Sequence, residues 1–306
     1  MKRTAISFMM LILCLSSLAK TDMDKLRHYF LMLSTDDNEF TDQREATFKK
    51  LTKGKADAVA ISLEYLNRKS QAKSETAEKV ILALGDHAVK PLTHMLTQPD
   101  ENQAAFAAYL LGRIGSKTSA VPLILASKSS GKRLRAAALG ALGSCGDTLA
   151  LITLTDALAD PDPTIRRTAA TSLGKIRSKS AMPKLIPLLR DESAFVRYAA
   201  SYAIAAIGDK AAPSLLSARL SEEAVGEIER FHLIETIGML GHQESLPMLF
   251  EFLEDPSHLV RGFSCQALGY FRGNFEVANA LKRCKNDSSG FVRMMAEQAL
   301  ANIRNE

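Results

Sequence analysis

Apolar residues along most of this chain recur with the spacing of a helix face. Ile165, Ala169, Leu173 and Ile176 sit at i, i+4, i+8 and i+11, and Val196, Ala200, Ile204 and Ile207 repeat the series. Leu134, Ala138, Leu142 and Cys145 follow it, as do Val260, Ser264, Leu268 and Phe271. Such a stripe is one face of an amphipathic helix. Its second member is small in each unit, which lets a neighbouring helix come close. A break follows, as in Ile207-Gly208-Asp209 and Leu240-Gly241, where glycine ends a helix by accepting a left-handed conformation. A second apolar helix then begins, often with proline in its first turn: Pro91, Pro122, Pro183, Pro213 and Pro247. A first turn has no intrahelical use for the N–H that proline lacks. The linkers Asp160-Pro161-Asp162 and Asp255-Pro256-Ser257 close a unit and cap the next helix. Each unit is helix, tight turn, helix.

The units keep a common frame. Arg135, Arg166, Arg197, Arg230, Arg261 and Arg293 are spaced by 31, 31, 33, 31 and 32 residues. Seven residues after each stands Leu142, Leu173, Ile204, Ile237, Leu268 or Leu300, and the next residue is always Gly or Ala. Two weaker units precede these, with Ala104 and Ser74 in the arginine's place. Residues 22–68 read as further helices, roughly 24–33, 39–52 and 56–67, forming a degenerate first unit or cap. The last unit stops after its first helix, at Ile303, as a terminal cap would.

The run Ile165-Arg166-Arg167-Thr168-Ala169-Ala170-Thr171-Ser172-Leu173-Gly174 resembles the short HEAT repeat named after phycobilisome lyases. The resemblance covers residues 74–303. Ankyrin repeats, which want Thr-Pro-Leu-His, and the longer ordinary HEAT period both fit worse. The resemblance implies an all-α, armadillo-like fold: a right-handed alpha-alpha superhelix of about seven helix-turn-helix repeats with a helical N-terminal cap. The expected organisation is a leader over 1–19, the cap over 20–70 and the solenoid over 71–306.

Composition adds a compartment. Lys2 and Arg3, the apolar run Ala5 to Leu15 and the small residues of Ser17-Leu18-Ala19 have the layout of a secretory signal peptide cut after Ala19. An uncleaved membrane anchor is the alternative, although the run is short for a span. Cys14 follows Leu13, which breaks the lipoprotein pattern. The expected location is therefore periplasmic or secreted, with no membrane span after cleavage. Cleavage leaves Cys145, Cys265 and Cys284, an odd number without CxxC pairs. A Cys265–Cys284 disulfide stays open as a reading. The formal net charge of +5 is too small and too scattered for a nucleic-acid binder.

Chemistry is sparse. The resemblance brings in deoxyhypusine hydroxylases, which bind iron through paired His-Glu dipeptides, and phycobilin lyases. No histidine here is followed by glutamate, and no residue marks a bilin site. Catalytic, cofactor and metal residues are thus expected to be none. The register arginines are read as structural. Asp160, Asp191, Asp255 and Asp287 stand six residues before Arg166, Arg197, Arg261 and Arg293, which suggests a charged ladder along the seam between repeats.

The function expected is a non-catalytic protein–protein interaction scaffold that binds a protein partner on the concave, second-helix side. Counting along the second helices gives an outward row of His94, Ala126, Asp156, Pro187, Ala218, Glu251 and Arg283, with Lys184 and Met248 beside it. The residues assigned to partner binding are His94, Asp156, Lys184, Met248, Glu251 and Arg283. An accessory or regulatory subunit of an exported enzyme, and an enzyme of lyase type, remain as alternatives. The aromatic crowd Phe231, Phe250, Phe252, Phe263, Tyr270, Phe271, Phe275 and Phe291 supplies core and, where it faces outward, a contact site.

Overall fold

The computed structural model describes residues 22–34, 41–66, 70–222 and 225–304. The leader over 1–19 lies outside these residues; the described residues are mostly helical, with no strand among them. The chain divides into two compact units, Met1–Ala141 and Leu142–Glu306. The division falls inside one helix, while the expected boundary at residue 70 lies within the first unit.

The first unit holds α1 (22–33), α2 (Thr41–Thr52), α3 (Lys55–Glu64), α4 (Gln71–Leu84), α5 (Asp86–Met95), α6 (Glu101–Ile114), α7 (Ala120–Ala126) and most of α8 (Lys132–Cys145). Phe30 stacks on Tyr65 at 4.7 Å, and Arg27 pairs with Glu64 at 2.9 Å. These contacts tie α1 to the end of α3. Arg44 donates to the Leu33 carbonyl at 2.9 Å and holds α2 in place. Asp100 caps α6 by accepting from the N–H groups of Asn102 and Gln103. Pro91 differs from the sequence expectation. It lies inside α5, because Gly85 ends α4 and the chain re-enters helix at once at Asp86.

The second unit alternates long first helices with short second ones. The first helices are α10 (Pro163–Ile176), α12 (Ala194–Ile207), α14 (Glu227–Leu240), α16 (His258–Leu268) and α18 (Gly290–Arg304). The second helices are α9 (Ala150–Asp156), α11 (Met182–Leu185, prolonged as a 3-10 turn to Arg190), α13 (Ala212–Leu220), α15 (Leu246–Glu251) and α17 (Phe275–Cys284). The outer end of α12 shows how a first helix stops: Gly208 takes φ 61, a left-handed conformation that costs glycine nothing.

Two packing rules build the array. Each second helix buries one leucine completely: Leu92, Leu123, Leu154, Leu185, Leu216, Leu249 and Leu281 are all 0 % exposed. Seven such anchors mark seven helix pairs among the described residues, and α18 follows them. Between most successive first helices the close contact is made by glycine, with Ala205 in that place on α12. A Cβ on Gly238 would lie 2.5 Å from the Ala267 Cα, so nothing larger than hydrogen fits without the helices parting. The small residue after the register leucine or isoleucine therefore serves the first-helix seam.

Candidate interaction surface

The register arginines form a ladder, in a form the sequence does not spell out. The Arg166 guanidinium places Nε and Nη2 on the two Asp191 carboxylate oxygens, both at 2.8 Å. Its Nη1 donates to the carbonyls of Asp160 and Pro161 at 2.9 and 3.0 Å. Arg261 repeats this, with Asp287 at 2.8 and 2.9 Å and the carbonyls of Asp255 and Pro256 at 2.8 and 3.1 Å. Each arginine thus grips its own repeat through main chain and the next repeat through a carboxylate. Arg197 and Arg293 make the same main-chain contacts, to Asp191 and Glu192 and to Asp287 and Ser288. The aspartates brace their own linkers too, Asp160 accepting from the Asp162 N–H and Asp255 from the Ser257 N–H. The Arg261 fork holds the Asp287 carboxyl below the usual aspartate range. The hydrogen bonds that Arg166 donates to Asp191 raise the guanidinium above its ordinary value. Arg135 and Arg230 lie half-buried on α8 and α14.

Between α12 and α14 the ladder is rewired. Six residues before Arg230 stands Ala224, so Arg197 has no aspartate of the next repeat in register. Its Nε donates instead to His232 Nε2 at 3.0 Å. That bond makes Nε2 the unprotonated nitrogen of a neutral ring and leaves the proton on Nδ1. Nδ1 stands 3.4 Å from Glu235 Oε2, outside hydrogen-bonding geometry. Glu235 Oε1 accepts from Gln266 Nε2 at 3.1 Å, which carries the polar chain on to α16. Below it, Thr236 donates to Ser201 at 2.9 Å. Glu229 is 3 % exposed at a position where the other repeats carry Ile165, Val196, Val260 and Val292. Arg219 compensates it with bonds of 2.7 and 3.0 Å and also pairs with Glu222. Sequence reading missed Glu229, although an acid in a β-branched register position was a visible signal.

Large side chains stand over this network. Tyr198 meets the His232 ring edge-on at 5.2 Å between centroids. Phe195 is 72 % and Tyr202 63 % exposed, and Tyr198, Ile228, Tyr270 and Met294 are exposed as well. Burial, with Glu235 and Tyr202 nearby, pushes the Tyr270 phenol above its ordinary range. Phe231 and Phe263 stack at 4.5 Å and Phe263 meets Phe291 at 5.7 Å, so one aromatic row joins α14, α16 and α18. A recess of about 350 Å³ beside Tyr202 is lined by Thr171, Gly174, Ala203 and Ala206.

The second-helix row lies two residues beyond each buried leucine. His94, Asp156, Pro187, Ala218, Glu251 and Arg283 are exposed there, and Lys184 is exposed and Met248 half-buried one residue before the anchor. Ala126 is buried, and Leu125, 66 % exposed, holds the outward place. Among the described residues no three His, Cys, Asp or Glu come together as a metal site, and no helix is long and apolar enough to cross a membrane.

Comparison with known proteins fits this architecture. Among solved structures, E. coli YibA is 16% identical over 89% of this chain and 100% of its own, with a TM-score of 0.50. A mutant of Kap121p is 17% identical over 86% of this chain and 36% of its own, with a TM-score of 0.51. The CpcE–CpcF complex of phycocyanin lyase from Nostoc sp. PCC7120 is 23% identical over 71% of this chain and 88% of its own, with a TM-score of 0.43. At such identities a likeness speaks for the fold alone. No curated protein matches. The sequence profile of HEAT repeats matches residues 89–164, 153–230 and 227–301, well over half of the chain. The chain belongs to the HEAT-repeat family.

Proposed function

We propose that this protein is a non-catalytic, exported scaffold that binds another protein through the outward face of α12, α14, α16 and α18. HEAT arrays commonly mediate protein interactions, because stacked helix pairs repeat one surface many times over. The observation that carries the proposal is a change along equivalent positions. Where α10 shows Thr164, Arg167, Thr171 and Lys175, α12 shows Phe195, Tyr198, Tyr202 and Ala206. Tyrosine, phenylalanine and methionine are enriched at protein interfaces, and exposed apolar surface of this kind marks contact sites. Export rests on the leader-like first nineteen residues. A second reading places the partner on the second-helix row, favoured by the outward register of Asp156, Lys184, Glu251 and Arg283. In either case the partner can be an enzyme that this chain assists.

The test is capture of partners from the exported fraction of the native host. Y198A/Y202A should release a partner that wild type retains, while the charge reversals D156K/E251K/R283E should retain it. Release by the charge reversals alone moves the site to the second helices. N-terminal sequencing should begin at Lys20 or close to it, and an intact Met1 on a cytoplasmic protein refutes export.

A further inference from the structure

The last full repeat holds a pair of thiols that the ladder and the aromatic face do not use. Cys265 lies on α16, 0 % exposed. Cys284 is the last residue of α17 and half-buried. The two side chains lie close enough to interact. Cys284 also lines an open cavity of about 510 Å³, together with Phe250, Asp255, Arg261, Arg283 and Asp287. One thiol therefore faces solvent and the other stands directly behind it.

The chemistry of the two sulfurs differs. Contact with Cys265 lowers the Cys284 thiol, and Arg283 adds to that, against opposition from burial, Asp287 and Glu254. The same contact and burial push the Cys265 thiol far up. A thiol that lines a cavity, in front of a fully buried one, is the division of labour between an attacking and a resolving cysteine. Cys145, buried and pushed up by burial and by Asp147, has no such arrangement.

We propose that Cys284 and Cys265 are a redox pair, oxidised through this cavity by a small disulfide. The cavity has the size of a small-molecule site, and Arg283 supplies a cation beside the reacting sulfur. The Cys284 thiolate attacks one sulfur of the small disulfide, forming a mixed disulfide and expelling one thiolate. Cys265 then loses its proton and attacks Cys284, expelling the second thiolate. The net change is one Cys265–Cys284 disulfide and two small thiols, so the two electrons lost by the protein reduce the small disulfide. The product bond ties α16 to α17 across nineteen residues of chain.

Full-length reduced protein, treated with oxidised glutathione, trapped by alkylation and mapped by peptide mass spectrometry, tests this. The expected result is a Cys265–Cys284 linkage formed at least about tenfold faster than any adduct on Cys145. In C265S a glutathione adduct should persist on Cys284. The proposal is overturned if wild-type Cys284 keeps its glutathione adduct unresolved, or if Cys284 and Cys145 react at equal rates. Both of those readings come from wild type and do not depend on a variant folding.

Discussion

Helices α10 and α12 are neighbours with the same buried stripe and different outsides. Ile165, Ala169 and Leu173 on one match Val196, Ala200 and Ile204 on the other, and all six are buried. Outward, α10 is threonine, arginine and lysine, and α12 is phenylalanine and tyrosine. Their arginines differ as well: Arg166 closes a bidentate pair with Asp191, while Arg197 turns to a neutral histidine. Packing does not require either change, since the core is the same in both. What differs is the surface offered and the polar network under it, and the proposed contact face rests on that difference.

The largest effect should come from breaking the regular rung. R166A leaves the Asp191 carboxylate, 7% exposed, without its cation. We expect a loss of about 3 kcal/mol in urea unfolding, in the range for removing one partner of a buried pair. R197A loses a bond to a neutral ring and two to carbonyls, so about 1 kcal/mol is expected. Equal losses would mean that the two rungs are equivalent and the comparison fails.

A smaller effect depends on pH. The Arg261 hydrogen bonds hold Asp287 below its unfolded value. The unfolded chain therefore takes up the proton first as pH falls below about 4, and the stability from this pair is present above that range and lost as pH falls through the folded value. D287N should be less stable than wild type at neutral pH, and the gap should close as the solution is acidified. A gap that stays constant with pH would contradict this account of the rung.

The repeat itself was legible, because a period of 31–33 residues carries a helix stripe in every unit and, in most, a glycine stop or a proline start. The second-helix row was legible for the same reason, apart from Ala126. There the count begins one residue late relative to the buried Leu123, so it lands on Ala126, one residue past the outward Leu125. The ladder's true pairing was not legible. Asp191 lies six residues before Arg197 and is its main-chain acceptor, yet its carboxylate serves Arg166, 25 residues back. Only the offset between stacked repeats decides that. The aromatic crowd was visible as composition, but its split into a stacked row and an exposed set needed the helix orientations.

Smallest in its effect on stability, and most telling for function, is an exchange of the outward residues. Y198R/Y202T gives α12 the surface of α10 at positions outside the core, and its melting temperature should stay within about 2 °C of wild type, as for surface substitutions in general. A larger fall would show that the tyrosines are structural after all.

The most direct test of the central claim is site-specific photo-crosslinking in the native host, with the photoreactive residue at position 202 in one protein and at the equivalent position 171 in another. The account predicts a discrete protein adduct from position 202, lost in a Y198R/Y270A background, and none from position 171. Adducts of equal yield from both positions, or adducts only from probes at second-helix positions 187 and 251, would contradict it.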